Sequence, residues 1–384
     1  MKLKKIAKVQ GGYAFKSDSF VSNETPVIRI GNIVNNKVVI DNDITAPMST
    51  IGDRKEFLIF KDDLLIAMSG ATVGKVGIYS LDSPSMLNQR VGNIKCEKKK
   101  KKYVFYLLQS PQFKKYVELS SIGCAQPNIS NSQIENFEFK ENSIDEIENI
   151  VRKLDNVSSL INIKKNEIEK SNVLVKSQFV EMFKGKNTPD CTKKIEELCS
   201  EMMIGPFGSA LHKDEISTSG DVFVLGTDNV VENFFSKKEI RYIDNNKYQQ
   251  LKKYTVKPDD IIISMMGTIG RTAIIPNDLE PAIISSHLCC LTPDKSKIYP
   301  DFLQKEFVLD DEVLYQIHSN KKGAIMSGLN LGIIKNITIH YPDLNKQKEF
   351  LNIVKQIDKQ KFEFEKQLKK LEELKASLMQ EYFG

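Results

Sequence analysis

The stretch SIDEIENIVRKLDNVSSLINIKKNEIEKSNVLVKSQFVEMF, Ser143 to Phe183, decides the fold, because a counterpart returns 200 residues later as DLNKQKEFLNIVKQIDKQKFEFEKQLKKLEELKASLMQEYF, Asp343 to Phe383. Subtracting 200 from the second numbering aligns the two without a gap: Lys170 with Lys370, Leu174 with Leu374, Ser177 with Ser377, Glu181 with Glu381, Phe183 with Phe383. The match extends upstream through Gly123/Gly323, Ile134/Ile334 and Asn136/Asn336. A repeat of this length is too large for a solenoid unit and means two copies of one domain-plus-helix unit.

Each stretch is predicted to be one unbroken helix. Pro127 and Pro342 precede them and Gly185 and Gly384 follow, so nothing interrupts the backbone ladder for about 40 residues. Ser143 and Glu146 form a capping box at one start, and Asp343 is an N-cap at the other. The apolar rhythm Ile147, Ile150, Val151, Leu154, Val157, Ile161, Ile168, Val175 has the three-and-four spacing of a coiled-coil seam. So has Phe350, Val354, Ile357, Phe364, Leu368, Leu371, Leu378, and Lys164, Ser171, Lys361 and Lys375 interrupt the two seams. A seam needs a partner. It is either the other helix or an ordinary helical core, and two equal rods, each following a globular copy, favour the first. At about 1.5 Å per residue each rod would be roughly 60 Å long. Leu160, Ile163, Phe179 and Val180 lie outside the seam and are expected on exposed docking sides.

The chain of 384 residues is 41% hydrophobic, enough for two cores. The organisation expected is a globular domain over 1–142, a helix over 143–184, a linker over 185–193, a second globular domain over 194–342 and a helix over 343–384. No signal-peptide pattern and no run of about eighteen apolar residues occurs, so an intracellular, cytoplasmic protein is expected. The six cysteines show no C-x-x-C spacing and are read as reduced thiols, not a disulfide framework or zinc site. A net charge of +5 permits contact with a polyanion without demanding it.

Both globular copies read as mixed α/β or α+β. Lys5-Ile6 is echoed by Lys194-Ile195. The glycine-phenylalanine turn Gly11-Gly12-Tyr13-Ala14-Phe15-Lys16-Ser17 is echoed by Gly205-Pro206-Phe207-Gly208-Ser209-Ala210-Leu211-His212-Lys213. A β-branched strand, Val27 to Asn32, answers Val222 to Thr227. The best-matched segment is Lys61 to Gly70 against Lys257 to Gly267. Turn aspartates there lead into a continuous apolar run that suits a buried strand. It ends in Gly70-Ala71-Thr72-Val73-Gly74-Lys75 and in Gly267-Thr268-Ile269-Gly270-Arg271. The spacing is too short for a P-loop, and Lys75 is not followed by Ser or Thr, so nucleotide binding is rejected. The paired aspartates read as turn formers in preference to metal ligands.

Candidate contacts to nucleic acid come from the polar triplets Asn88-Gln89-Arg90 and Ser285-Ser286-His287, whose side chains can pair with base edges. Others are Lys16, Ser69, Lys75, His212, Lys213, Arg271, the run Lys98, Lys99, Lys100, Lys101, Lys102, and Lys321 and Lys322. A lysine run can follow a phosphate backbone or simply be solvated. Leu154, Val157, Ile161, Ile168, Phe179, Val354, Ile357, Phe364, Leu368 and Leu371 are the candidates for spacer and subunit contact. No catalytic constellation emerges. The four histidines all lie in the second half, and no G-x-S-x-G, H-E-x-x-H, dinucleotide fingerprint or N-P-P-Y-like tetrapeptide is present.

The alternation of globular copy and long helix, together with Gly12-Tyr13-Ala14-Phe15-Lys16-Ser17, Gly205-Pro206-Phe207-Gly208-Ser209, Asp63 to Gly74 and Gln126-Pro127-Asn128-Ile129-Ser130, resembles the specificity subunits of type I restriction–modification systems over the whole chain. The second half departs from the last string with Ser327-Gly328-Leu329-Asn330-Leu331, so its local loop is expected to differ. The resemblance implies two target-recognition domains, each reading half of a bipartite double-stranded DNA sequence. It implies antiparallel helices as spacer and as platform for two adenine-methylating subunits, in a pseudo-two-fold arrangement. S-adenosylmethionine would bind those subunits and no cofactor or metal this chain; a restriction subunit is a further partner the resemblance allows. A coiled-coil adaptor with two protein-binding domains is the alternative, and a self-sufficient nuclease or methylase a third.

Overall fold

A computed structural model describes residues 1–40, 44–121, 126–185, 191–208, 210–239, 241–319 and 328–384. Two compact units result, one of Met1–Asn166 with Glu365–Gly384 and one of Glu167–Phe364. The helices occupy Ile144–Phe183 and Leu344–Phe383. At the first start the Ser143 amide donates to Glu146 at 2.7 Å while Ser143 Oγ accepts from the Glu146 amide at 3.3 Å. At the second, Asp343 accepts from the amides of Asn345 and Lys346 at 3.0 and 3.1 Å. Both caps satisfy amides that the first turn leaves without an intrahelical partner. Among the described residues no helix is long and apolar enough to cross a membrane.

Within each unit the helices run antiparallel. In the first, Lys153 Nζ donates to Tyr382 at 3.0 Å and Lys165 pairs with Glu372 at 3.0 Å, so one number rises as the other falls. In the second, Lys361 donates to Asn172 at 2.8 Å, and Phe350 meets Phe179 and Phe183 at centroid separations of 5.7 and 5.5 Å. Ile147, Ile150, Leu154, Val157, Ile161, Val175, Phe350, Val354 and Ile357 are buried, whereas Val151, Ile168, Phe364, Leu368, Leu371 and Leu378 are half-buried. The polar interruptions are met locally: the Ser171 hydroxyl donates back to the Glu167 carbonyl at 2.8 Å. One expectation is corrected. Leu160, Ile163 and Val180 are exposed, but Phe179 is fully buried, ringed by Phe183, Phe302 and Phe350. Its seam is made with the globular part of its own unit, which helical spacing alone cannot reveal.

Each unit holds the same four-strand antiparallel core. In unit 1 it is β1 (Ala7–Gly11), β2 (Leu64–Ala67), β3 (Val76–Ile78) and β4 (Val91–Cys96), in the order β1-β4-β2-β3, continued by the short strands Lys37–Val38 and Ile33–Val34. In unit 2 it is β5 (Cys199–Ile204), β6 (Ile261–Ser264), β7 (Thr272–Ile274) and β8 (Leu288–Pro293), in the order β5-β8-β6-β7. The apolar runs read as buried strands are β2 and β6, buried at every residue. Side chains alternate across a sheet, so Leu64 and Ile66 enter a core shared with the helices while Leu65 and Ala67 enter another with Tyr79, Leu87 and Val91. Ile261 and Ile263 are divided from Ile262 in the same way.

The turn aspartates hold their turns. Asp62 and Asp259 adopt φ of 69° and 68°, and the next aspartate caps the turn: Asp63 accepts from the Phe60 amide at 3.0 Å, Asp260 from the Lys257 amide at 2.7 Å. Two-residue hairpins with both residues left-handed recur at Asn35-Asn36 and Glu232-Asn233. The expected echo of Lys5-Ile6 in Lys194-Ile195 is shifted. Leu3 N donates to Phe137 O at 2.9 Å as Ile195 N donates to Ile337 O at 3.0 Å, so Lys2-Leu3 is the true counterpart. A bulge between Cys199 and Glu201 then adds one residue before the second glycine turn.

Candidate nucleic-acid interface

The polar triplets sit where a parallel strand leaves its sheet. Thr25–Ile28 pairs in parallel with Ser85–Leu87, and Val222–Leu225 with Ala282–Ile284. The next residue is then clamped, Asn88 N donating to Ile28 O at 3.0 Å and Ser285 N to Leu225 O at 2.8 Å. The glycine turns press on the same loops. A Cβ on Gly12 would lie 2.3 Å from Asn88 O, and one on Gly205 would lie 2.1 Å from Ser285 O, so each position has room for glycine alone. Two motifs far apart in sequence are thereby joined twice over.

In unit 1, Phe15, Phe20, Arg29, Ile30, Asn88, Gln89 and Arg90 line a groove of about 250 Å³. Its apolar floor continues into Tyr13 and Phe57, over which the Arg54 guanidinium stacks at 4.5 and 5.8 Å. Asn88 is buried, its side chain accepting from the Arg90 amide at 3.2 Å, so it shapes the loop while Gln89 and Arg90 are exposed. Lys16 and Lys75 are exposed as well, and Ser69 is half-buried against Asn128. The glycine loop after β2 carries φ of 72° at Gly70 and 81° at Gly74, repeated as 71° and 83° at Gly267 and Gly270. It leads into a strand and not a helix, so no helix N-terminus awaits a phosphate as in a P-loop. In unit 2, His212, Lys213 and His287 are exposed, and Ser286 and Arg271 half-buried. Lys321 and Lys322 lie outside the described residues.

The lysine run is not brought to this face. It begins beyond the far end of β4, whose six residues separate it from Arg90 by roughly 20 Å. Lys100 pairs with Glu97 at 3.3 Å, Lys101 donates to Asp62 O at 3.0 Å, and Lys102 meets Asp155 on the long helix at 2.5 Å. Among the described residues only Lys98 and Lys99 of the five have no such partner.

Sequence reading passed over Arg29, Arg54 and Arg241. The signal for Arg29 was the one cation inside the apolar strand Val27-Ile28-Arg29-Ile30. Asn32 accepts from the Arg29 amide at 2.7 Å and donates to Val39 O at 2.9 Å. Asn229 does the same with Gly226 N and Ser236 O, both at 2.8 Å. Arg29 and Gly226 are therefore equivalent positions.

A family model described as the type I restriction modification DNA specificity domain matches residues 1–170 and again residues 192–376. The chain belongs to that family. The two specificity domains repeat the strand order, turn glycines and clamped loops found above. The type I restriction enzyme MjaVIII specificity subunit of Methanocaldococcus jannaschii is 30% identical over 175 residues, 44% of this chain and 41% of that one, so the match spans less than half of that relative. The EcoBI specificity subunit of Escherichia coli is 21% identical over 380 residues, 92% of this chain and 77% of that one. The solved S subunit of a type I restriction–modification system from M. genitalium has the same fold, with a TM-score of 0.53 at 16% identity, covering 100% of this chain and 95% of that one. Inside the specificity domains the described part of the loop expected to differ keeps one contact, Leu329 N donating to Met265 O at 3.1 Å as Ile129 N donates to Met68 O at 2.9 Å, while Ser327 lies outside the described residues.

Proposed function

We propose that this chain is the DNA-reading subunit of a type I restriction–modification enzyme, acting in the cytoplasm and without catalysis of its own. Each specificity domain reads one half of a bipartite duplex site, and the paired helices set the gap and dock two methyltransferase subunits. Those subunits bind S-adenosylmethionine and methylate adenine at N6; in a restricting system a restriction subunit joins them. The observation that carries this reading is the recurrence, in both units, of one polar loop clamped by one parallel strand pair and one obligatory glycine. Such a rigid loop can present side chains to base edges, where sequence is read.

Gln89, Arg90 and Arg29 are the proposed base readers of unit 1, and Ser286 and His287 belong to the reading loop of unit 2. Lys16, Lys75, His212, Lys213 and Arg271 flank them as phosphate contacts. Lys98 and Lys99, at the other end of β4, are kept only as a peripheral phosphate contact. Exposed Leu160 and Ile163 in unit 1 and, separately, Val180 in unit 2 are proposed as methyltransferase contacts. The chain assembled with its methylating partner should be retained on duplex DNA with an affinity that falls steeply with salt, since phosphate contacts release counterions. Retention indifferent to salt, or none, would favour the protein-adaptor reading.

A further inference from the structure

Unit 2 lays a guanidinium over the backbone position equivalent to Arg29 of unit 1, by a different route. Gly226 replaces Arg29 there, and Arg241, from the neighbouring strand segment, reaches across it. A Cβ on Gly226 would lie 2.5 Å from Arg241 Nη2 and 2.8 Å from Asp228 Oδ1. The Gly226 φ is −121°, which any residue adopts, so glycine serves here to leave room and not to permit a turn. Arg241 is anchored through its backbone, its carbonyl accepting from Val224 N at 2.8 Å. Its side chain is ion-paired with Asp228, and both side chains are 38% exposed. Arg241 Nε is buried, with no hydrogen-bond partner among the described residues, so it is not offered to a ligand. Asp228 thus holds the fork at Nη2, and the donors left for a ligand are those of its outer end, Nη1 with the second hydrogen of Nη2.

We infer that Arg241, steadied by Asp228, reads a guanine in the half-site of unit 2, on the premise that unit 2 is a DNA-reading module. The planar fork matches the O6 and N7 acceptors of guanine. A phosphate is the poorer ligand, because the Asp228 carboxylate beside the fork repels a second anion, whereas a base edge is neutral. Asp228 therefore selects between two contacts that arginine alone makes equally well. Unit 1 has Gly31 at the place of Asp228, so the two domains should read their guanidinium positions differently.

The test uses the full chain assembled with its methyltransferase partner and duplexes carrying the sequence methylated in cells. Each guanine of the second half-site is replaced in turn by 7-deazaguanine, which lacks the N7 acceptor. One replacement should weaken wild-type binding roughly ten-fold, and Arg241→Ala should weaken binding roughly ten-fold to a hundredfold and become indifferent to that same replacement. Arg241→Lys, which keeps the charge and loses the fork, should also lose the preference; Asp228→Asn should blunt it. Uniform weakening by Arg241→Ala on every duplex, with a shallower salt slope, would make Arg241 a phosphate contact and overturn the inference. So would a second half-site without guanine. A wild-type assembly that does not retain duplex at all would instead remove the premise about unit 2.

Discussion

At the scale of single residues, glycine placement carries the most information. Gly205 has no space for a methyl group against the Ser285 carbonyl, whereas Gly208, three residues on, would meet none of the described residues within 4 Å. Gly205→Ala should therefore cost about 1–3 kcal/mol of stability by overpacking and displace the Ser285–His287 loop, while Gly208→Ala stays near wild type in thermal unfolding. Glu306 makes a second prediction. Burial holds its carboxyl well above the usual 4.5, and neighbouring Asp310 pushes it further up against the opposing effect of Lys184. The folded chain keeps a proton there that the unfolded chain releases, so this group's contribution to stability is lost as pH rises above the ordinary carboxylate range. Glu306→Gln should raise the unfolding midpoint over wild type at pH 8 and leave a smaller difference at pH 5; an equal gap at both would refute the assignment.

At the scale of elements, much of the molecule is legible in the sequence. The long helices, their caps and the buried strands β2 and β6 follow from spacing and turn chemistry within a few residues of one another. What could not be read depends on partners distant in the chain. Phe179 looked like a docking residue because a heptad pattern gives one face, yet Phe302 and Phe350 cover the other. The lysine run looks like a phosphate track because the partner of Lys102, Asp155, lies 53 residues away. Arg241 was invisible because only the strand pairing lays it over Gly226. Phe179→Ala should cost about 3–5 kcal/mol in denaturant unfolding, as a large buried aromatic does. Leu160→Ala should instead leave stability within about 0.5 kcal/mol, as surface changes do, and weaken co-purification with the methyltransferase.

Across the whole molecule one fold is used twice. Two domains with the same clamped loop differ at the residues the loop presents, Gln89-Arg90 against Ser286-His287, so each should read its own short sequence. Replacing residues 1–142 with the corresponding domain of another family member, and sequencing the methylome of cells that express the chimera with its methyltransferase, tests this most directly. One half of the methylated sequence should change while the other half and the gap between them stay as they were. A change in both halves, or in neither, would contradict the account.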